Sequence, residues 1–310
     1  MSALLQAKAM IRPNAAQCMT SQRGVHAVLR EAEQSISAEV LRRWSQASGF
    51  LGPARRLVLL CGHPRSGTTL LEQVLDSHPE IRSAEESSVF FQEVYLPLRR
   101  DLQNTPAMLA VLESASPARL KELRDVYFHC LEGFLGEPVG ERLVLDKNPS
   151  LTALVPAFAR VFPEAKFLVA LRDPRDVCLS CFMQPLPLND TSSSFLSLEG
   201  TVAEYISLMG LWQAVGPRLQ NPHLQVRYED VVENLESASR RALDFLGVPW
   251  DERVLRFDEH AREKLVRSPT YADVAQPVFQ GAVGRWRNYQ KHLEPHLARL
   301  APFIKAFGYD

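Results

Sequence analysis

Apolar positions along the chain fall into short unbroken runs separated by stretches of helical spacing. Leu57-Val58-Leu59-Leu60-Cys61, bounded by Pro53 and Gly62, has the length and continuity of a strand buried on both faces. Leu143-Val144-Leu145, Lys166 to Leu171 and Leu224 to Tyr228 predict three more strands. Leu70, Leu71, Val74 and Leu75 recur at helical spacing directly after the first strand. Further helices are predicted over Val89 to Arg100, Pro117 to Phe134, Leu151 to Val161, from Pro174, over Thr201 to Leu219, over Leu235 to Leu246 with a stop at Gly247, and over Glu294 to Phe307. Ile81 to Ser87 reads as a polar connector, Gln184 to Ser197 as a surface loop near the ligand, and Phe257 to Gly284 as an ordered segment with little periodicity. Upstream, residues 1 to 23 read as a loosely held arm, followed by an amphipathic helix from His26 to Trp44 that breaks near Ser35 to Ser37. No internal period supports a repeat array. Strands separated by helices at this rhythm predict an α/β fold, a parallel sheet covered on both faces. The division expected is an N-terminal arm and helical segment over 1–50 and a main domain over 51–310. Ligands of such sheets bind at the carboxyl ends of the strands, and the polar clusters after Cys61, Leu145 and Leu171 sit there.

Composition narrows the partners. Among 310 residues, 35 Lys and Arg nearly balance 36 Asp and Glu, so no global field recruits nucleic acid or an anionic membrane, and any anion site is local. No apolar run is long enough to span a bilayer, and Met1 to Gln22 lacks the apolar core and small-residue cleavage site of a signal peptide. Five scattered cysteines, Cys18, Cys61, Cys130, Cys178 and Cys181, suit reduced thiols and a cytoplasmic setting. Cys178-x-x-Cys181 has no second pair or His cluster beside it, so two small helix residues are expected there, with no metal.

The chemistry concentrates in Gly62-His63-Pro64-Arg65-Ser66-Gly67-Thr68-Thr69. Strand, glycine-bounded loop and helix present backbone N–H groups and a helix N-terminus to a phosphate. The Gly62-x4-Gly67 spacing is that of a P-loop, but Thr68 stands where a nucleoside-triphosphate site places Lys. Positive charge comes instead from Arg65.

Pro64-Arg65-Ser66-Gly67-Thr68-Thr69-Leu70-Leu71 followed by Leu75-Asp76-Ser77-His78-Pro79-Glu80 resembles the 5′-phosphosulfate loop of sulfotransferases. The branch it most resembles is the tyrosylprotein sulfotransferase-like one, and the match runs from about Leu57 to the C-terminus. The resemblance implies the P-loop-like sulfotransferase fold, the donor 3′-phosphoadenosine 5′-phosphosulfate (PAPS) with 3′-phosphoadenosine 5′-phosphate (PAP) as product, and no metal. It implies an acceptor bearing a hydroxyl, tyrosine or another phenol, on a small molecule or peptide. A homodimer is left open. Arg65, Ser66, Gly67, Thr68 and Thr69 would hold the 5′ end of the donor. Arg172, and Ser180 eight residues later, match the 3′-phosphate site; eight residues is roughly two helical turns, which returns Ser180 to the face of the helix start. Gln184 occupies a place that is basic in some relatives. Glu85 matches the general base, with Glu86 open to an orienting role, and Lys147 in Asp146-Lys147-Asn148-Pro149 matches the catalytic Lys. Thr270 and Arg285 occupy the places of a Ser and a basic residue that reach the phosphosulfate, and Tyr228 matches a donor-binding Tyr. His63 and Trp286 read as packing residues. Two alternatives stay open: a P-loop kinase or NTPase, which lacks its Lys here, and a non-catalytic nucleotide binder.

Overall fold

Five parallel strands form the sheet: β1 (Leu57–Gly62), β2 (Ile81–Glu85), β3 (Leu143–Lys147), β4 (Lys166–Leu171) and β5 (His223–Arg227), in the spatial order β2-β3-β1-β4-β5. The computed structural model describes residues 1–46, 48–102, 107–263 and 280–309. β1 is the central strand, paired with β3 on one side and β4 on the other, so the connections diverge at its carboxyl end and open a crevice there.

Strand alternation assigns residues to the two faces. Leu57, Leu59 and Cys61 of β1, with Phe167, Val169 and Leu171 of β4, enter one apolar cluster together with Tyr127, Phe158 and Trp212. Val58 and Leu60, with Leu143 and Leu145 of β3 and Leu168 of β4, enter a second cluster with Leu70, Val74 and Leu243. The Thr68–Asp76 helix, called here the loop helix, and the Leu235–Leu246 helix cover this second face. The same alternation sends neighbours Asp146 and Lys147 of β3 to opposite faces.

Two glycines are required by geometry. Gly62 has φ +134°, and a Cβ there would lie 2.3 Å from the Ala170 carbonyl oxygen. Gly67 has φ +94°, and a Cβ there would lie 2.7 Å from Cδ2 of Tyr228.

Four expectations need correction. Gln184 to Ser197 is not all surface loop, since it contains the Asp190–Ser194 helix with Ser192, Ser193 and Phe195 buried. Residues 81–87 contain β2, an edge strand whose residues pair in parallel with β3 from Ile81–Leu143 to Glu85–Lys147, not only a connector. Tyr228 begins the short Tyr228–Glu233 helix instead of ending β5. The first 23 residues are helical, over Ser2–Ile11 and from Ala16 within Ala16–Ser35, and they are tied down. Lys8 Nζ donates to the Phe195 carbonyl at 2.8 Å. Gln22 Nε2 and His26 Nε2 meet one carboxylate oxygen of buried Glu204 at 2.8 and 2.7 Å, and Ser194 Oγ donates to it at 3.0 Å. The break near Ser35 to Ser37 is where expected, between Ala16–Ser35 and Ala38–Gln46.

Candidate active site

The loop after β1 is drawn tight by its own backbone. Ser66 N–H donates to the His63 carbonyl at 3.1 Å, Arg65 takes φ +71°, and Gly67 caps the loop helix in the left-handed region. Thr152 pins the strand end, its hydroxyl accepting from Gly62 N–H and donating to Gly62 O, both at 2.8 Å. His63 is buried against Tyr205 and donates through Nδ1 to the Pro64 carbonyl at 2.8 Å; burial lowers its pKa, so it holds the loop's shape as a neutral ring. Cys178 and Cys181 are buried helix residues, and among the described residues no group of three or more His, Cys, Asp or Glu is placed to hold a metal ion.

A cleft of about 1050 Å³ opens over this loop. Arg65, Gly67, Thr68 and Thr69 line it, as do Arg172, Ser180, Tyr228 and Arg285. Ser66 lies buried beneath it. Arg65 Nε donates to Ser180 Oγ at 3.1 Å, joining two motifs 115 residues apart in the chain. Arg172 leaves the end of β4, donates to the carbonyls of Arg65 (3.2 Å) and Ala282 (2.6 Å), and stacks 4.8 Å over the Tyr228 ring. Its Nε and the Ser66 hydroxyl are buried polar atoms without a hydrogen-bond partner among the described residues. Two such donors beside a helix N-terminus fit an anionic group. Asp176, on the Pro174–Met183 helix, accepts from the backbone N–H groups of Gly284 and Trp286, both at 2.7 Å, and so brings Arg285 to the rim. Trp286 packs with Leu179 and Leu293, the packing role expected of it. Thr270 and the run to Val278 lie outside the described residues.

At the other edge of the loop helix is a buried charge cluster. Lys147, fully buried at the end of β3, has Nζ 3.0 Å from Glu86, 3.3 Å from Glu72 and 3.7 Å from Glu85. Burial alone would lower the pKa of this ammonium, but the carboxylates of Glu72, Glu86 and Glu85 outweigh it and leave the value raised. Ser83 donates its hydroxyl to Glu72, which is itself fully buried on the loop helix. Of the two expected carboxylates, Glu86 lines the cleft, whereas Glu85 is only 6% exposed. Glu86 is held at φ +48°, its N–H donating to Lys147 O at 2.7 Å, and this turn aims consecutive side chains differently. Glu72 was not expected from the sequence, where it stands between the apolar positions Leu71 and Val74 of the loop helix.

Asp146 faces the other way, accepting from Tyr127 (2.8 Å) and from Ser87 (3.4 Å), and burial pushes its pKa up to about 7. That lies above the roughly 3.9 of an unfolded Asp, so folding takes up a proton between those values. This group's contribution to stability is therefore fullest below about pH 4 and is lost as pH rises toward 7. Asp146→Asn should gain on the wild type between pH 4.5 and pH 7.5 in urea denaturation. A difference that does not change with pH would mean that Asp146 is ionised throughout.

A family model described as the sulfotransferase family matches residues 58–252. Protein-tyrosine sulfotransferase 1 of Danio rerio is 27% identical over 270 residues, covering 82% of this chain and 72% of its own length. The protein-tyrosine sulfotransferase of Drosophila melanogaster is 28% identical over 276 residues, covering 82% of this chain and 52% of its own length. The sulfotransferase domain of the Synechococcus PCC 7002 olefin synthase has a similar fold, with a TM-score of 0.56 and 21% identity over 76% of this chain and 89% of that one.

Proposed function

This chain belongs to the sulfotransferase family, and from that premise we propose that it transfers the sulfuryl group of PAPS to an acceptor hydroxyl, phenolic by preference. The contact between Arg65 and Ser180 carries this reading, because it joins, in a single cleft, two motifs that the resemblance assigns to the two ends of the donor. The donor, when bound, supplies an activated sulfuryl group on a 5′-phosphate oxygen. Arg65, the loop N–H groups and the hydroxyls of Ser66, Thr68 and Thr69 bind that end, with Arg285 at the rim and Thr270 as a further hydroxyl. Arg172 and Ser180 bind the 3′-phosphate, and Tyr228 buttresses Arg172.

Catalysis needs a base for the acceptor proton and a cation for the oxygen that departs. Glu85 takes the proton, and Glu86, which lines the cleft, is the second candidate for that role. Lys147, kept charged by its carboxylates, donates to the leaving 5′-phosphate oxygen. The remaining acceleration comes from holding donor and acceptor in line. A cytoplasmic setting, in which a nucleotide donor and small phenols are both accessible, is part of the proposal.

The nucleotide assignment is tested by calorimetry with PAP and AMP. PAP should bind more tightly, because only it engages Arg172 and Ser180. Arg172→Ala should cut PAP affinity by about 10- to 100-fold, the scale of one lost charge-assisted contact, and change AMP affinity far less. Equal affinity of the wild type for both nucleotides would sink the donor assignment.

A further inference from the structure

We propose that Tyr309 is a positioning residue for the donor, holding the Arg172 and Tyr228 segments together and so setting the preference for a nucleotide that carries a 3′-phosphate; this deepens the sulfotransferase reading and rests on it. Leu171 at the end of β4 and Arg227 at the end of β5 are register partners, so Arg172 and Tyr228 leave the sheet side by side. The next pair along is Asp173 and Glu229. Backbone pairing has stopped by then, because Tyr228 begins a helix. A side chain takes over: Asp173 N–H donates to Glu229 Oε1 at 3.1 Å. The Tyr309 hydroxyl donates to the other oxygen, Glu229 Oε2, at 2.8 Å. Each oxygen of the carboxylate thus has its own partner, and the rotamer that joins the two segments is fixed. Beside this tie Arg172 stacks 4.8 Å over the Tyr228 ring.

Local rules bring Tyr309 to this place. Gly308, at φ +73°, turns the chain back after the Leu297–Ala306 helix, with Gly308 N–H donating to Lys305 O at 3.2 Å and Tyr309 N–H to Ile304 O at 2.9 Å. The turn buries the Tyr309 ring in the apolar cluster of Phe303 and Phe307, and the Arg227 guanidinium lies 4.2 Å over its face. Burial and the Glu229 carboxylate raise the pKa of the phenol, so it stays protonated and acts as the donor. The Tyr309 carbonyl accepts from Arg175 at 2.7 Å. The same guanidinium donates to Asp173 at 2.8 Å and stacks 4.1 Å over Trp286, the neighbour of Arg285. Directly or through Arg175, one residue therefore reaches the immediate neighbours of Arg172, Tyr228 and Arg285, while Tyr309 itself does not line the cleft. Packing alone would need only its ring.

Tyr309→Phe keeps the ring and removes only the hydroxyl. By calorimetry it should weaken PAP binding roughly tenfold, near the lower end of what a hydrogen bond to a charged group contributes, and change AMP binding less than about twofold. The KM for PAPS should rise by a similar factor, with a smaller fall in kcat. A double-mutant cycle then tests whether Tyr309 acts through Arg172. In an Arg172→Ala background, which has already lost the 3′-phosphate contact, Tyr309→Phe should cost less than about a further twofold in PAP affinity. Equal loss of PAP and AMP affinity, or losses that multiply in the double variant, would mean that Tyr309 serves the fold alone. Unchanged PAP binding by Tyr309→Phe would give it no part in the site, and each of these results overturns the proposal. Equal affinity of the wild type for PAP and AMP would instead strike the donor reading, and that is seen before any Tyr309 variant is made.

Discussion

Lys147→Ala should lower kcat by about 100-fold or more while PAP still binds, the loss expected when a charge that meets a departing oxygen is removed. The same substitution should also destabilise the protein. It leaves Glu72 and Glu85 buried without their shared cation, and removing one partner of a buried ion pair costs about 3–5 kcal/mol. A second change separates the two effects. Adding Glu72→Gln to Lys147→Ala removes one of the stranded charges and should recover part of the thermal stability with no recovery of kcat. If stability and turnover return together, Lys147 serves the fold alone and the catalytic assignment is lost. Because its pKa is raised, the ammonium stays charged across the neutral range, and wild-type kcat should show no fall due to this group below about pH 10.

The sheet was legible because β1, β3 and β4 carry continuous apolar runs, as strands buried on both faces do, and edge strand β5 alternates Leu224 and Val226 with polar residues. β2 was not legible for a physical reason. Its inward positions are Ile81, Ser83 and Glu85, and two of those three meet the buried polar cluster of Glu72 and Lys147 instead of oil. A strand that lines a buried charge cluster has no apolar alternation to show. The glycine-bounded loop was legible from its spacing, Arg172, Ser180 and Arg285 only through the resemblance to sulfotransferases, and all of them line one cleft. Glu72 was hidden by the helix pattern around it: Leu70, Leu71, Val74 and Leu75 define an apolar face, and the residue between looks like the wet side. The loop helix has no wet side, since every residue from Thr68 to Asp76 is buried, and a charge placed there must find a partner. The helices over residues 1–23 were missed because what ties them down are polar residues, Lys8 and Gln22, whose partners lie 187 and 182 positions away. No local window contains such a pair.

Glu85 and Glu86 can be told apart by how each variant responds to the acidity of the acceptor. Glu85→Gln should lower kcat on a neutral alcohol or weakly acidic phenol by roughly 100-fold or more, because the amide keeps its size but cannot take the proton. A nitrophenol that is already largely ionised needs no base and should restore much of the rate to that variant. Glu86→Gln weakens the 3.0 Å contact to Lys147, so it should act through the cation proposed to serve the leaving oxygen. Its loss should be the smaller of the two and should persist with the nitrophenol. Lys147→Ala should likewise be rescued hardly at all, since the leaving oxygen is the same whichever acceptor is used. Glu86 is the carboxylate that faces the cleft, however, whereas Glu85 is nearly enclosed beside Lys147. If rescue by the ionised phenol belongs to Glu86→Gln and not to Glu85→Gln, then the residue that lines the cleft is the base, and Glu85 joins Glu72 in holding Lys147. Full activity of Glu85→Gln on a neutral alcohol would remove Glu85 from the chemistry altogether.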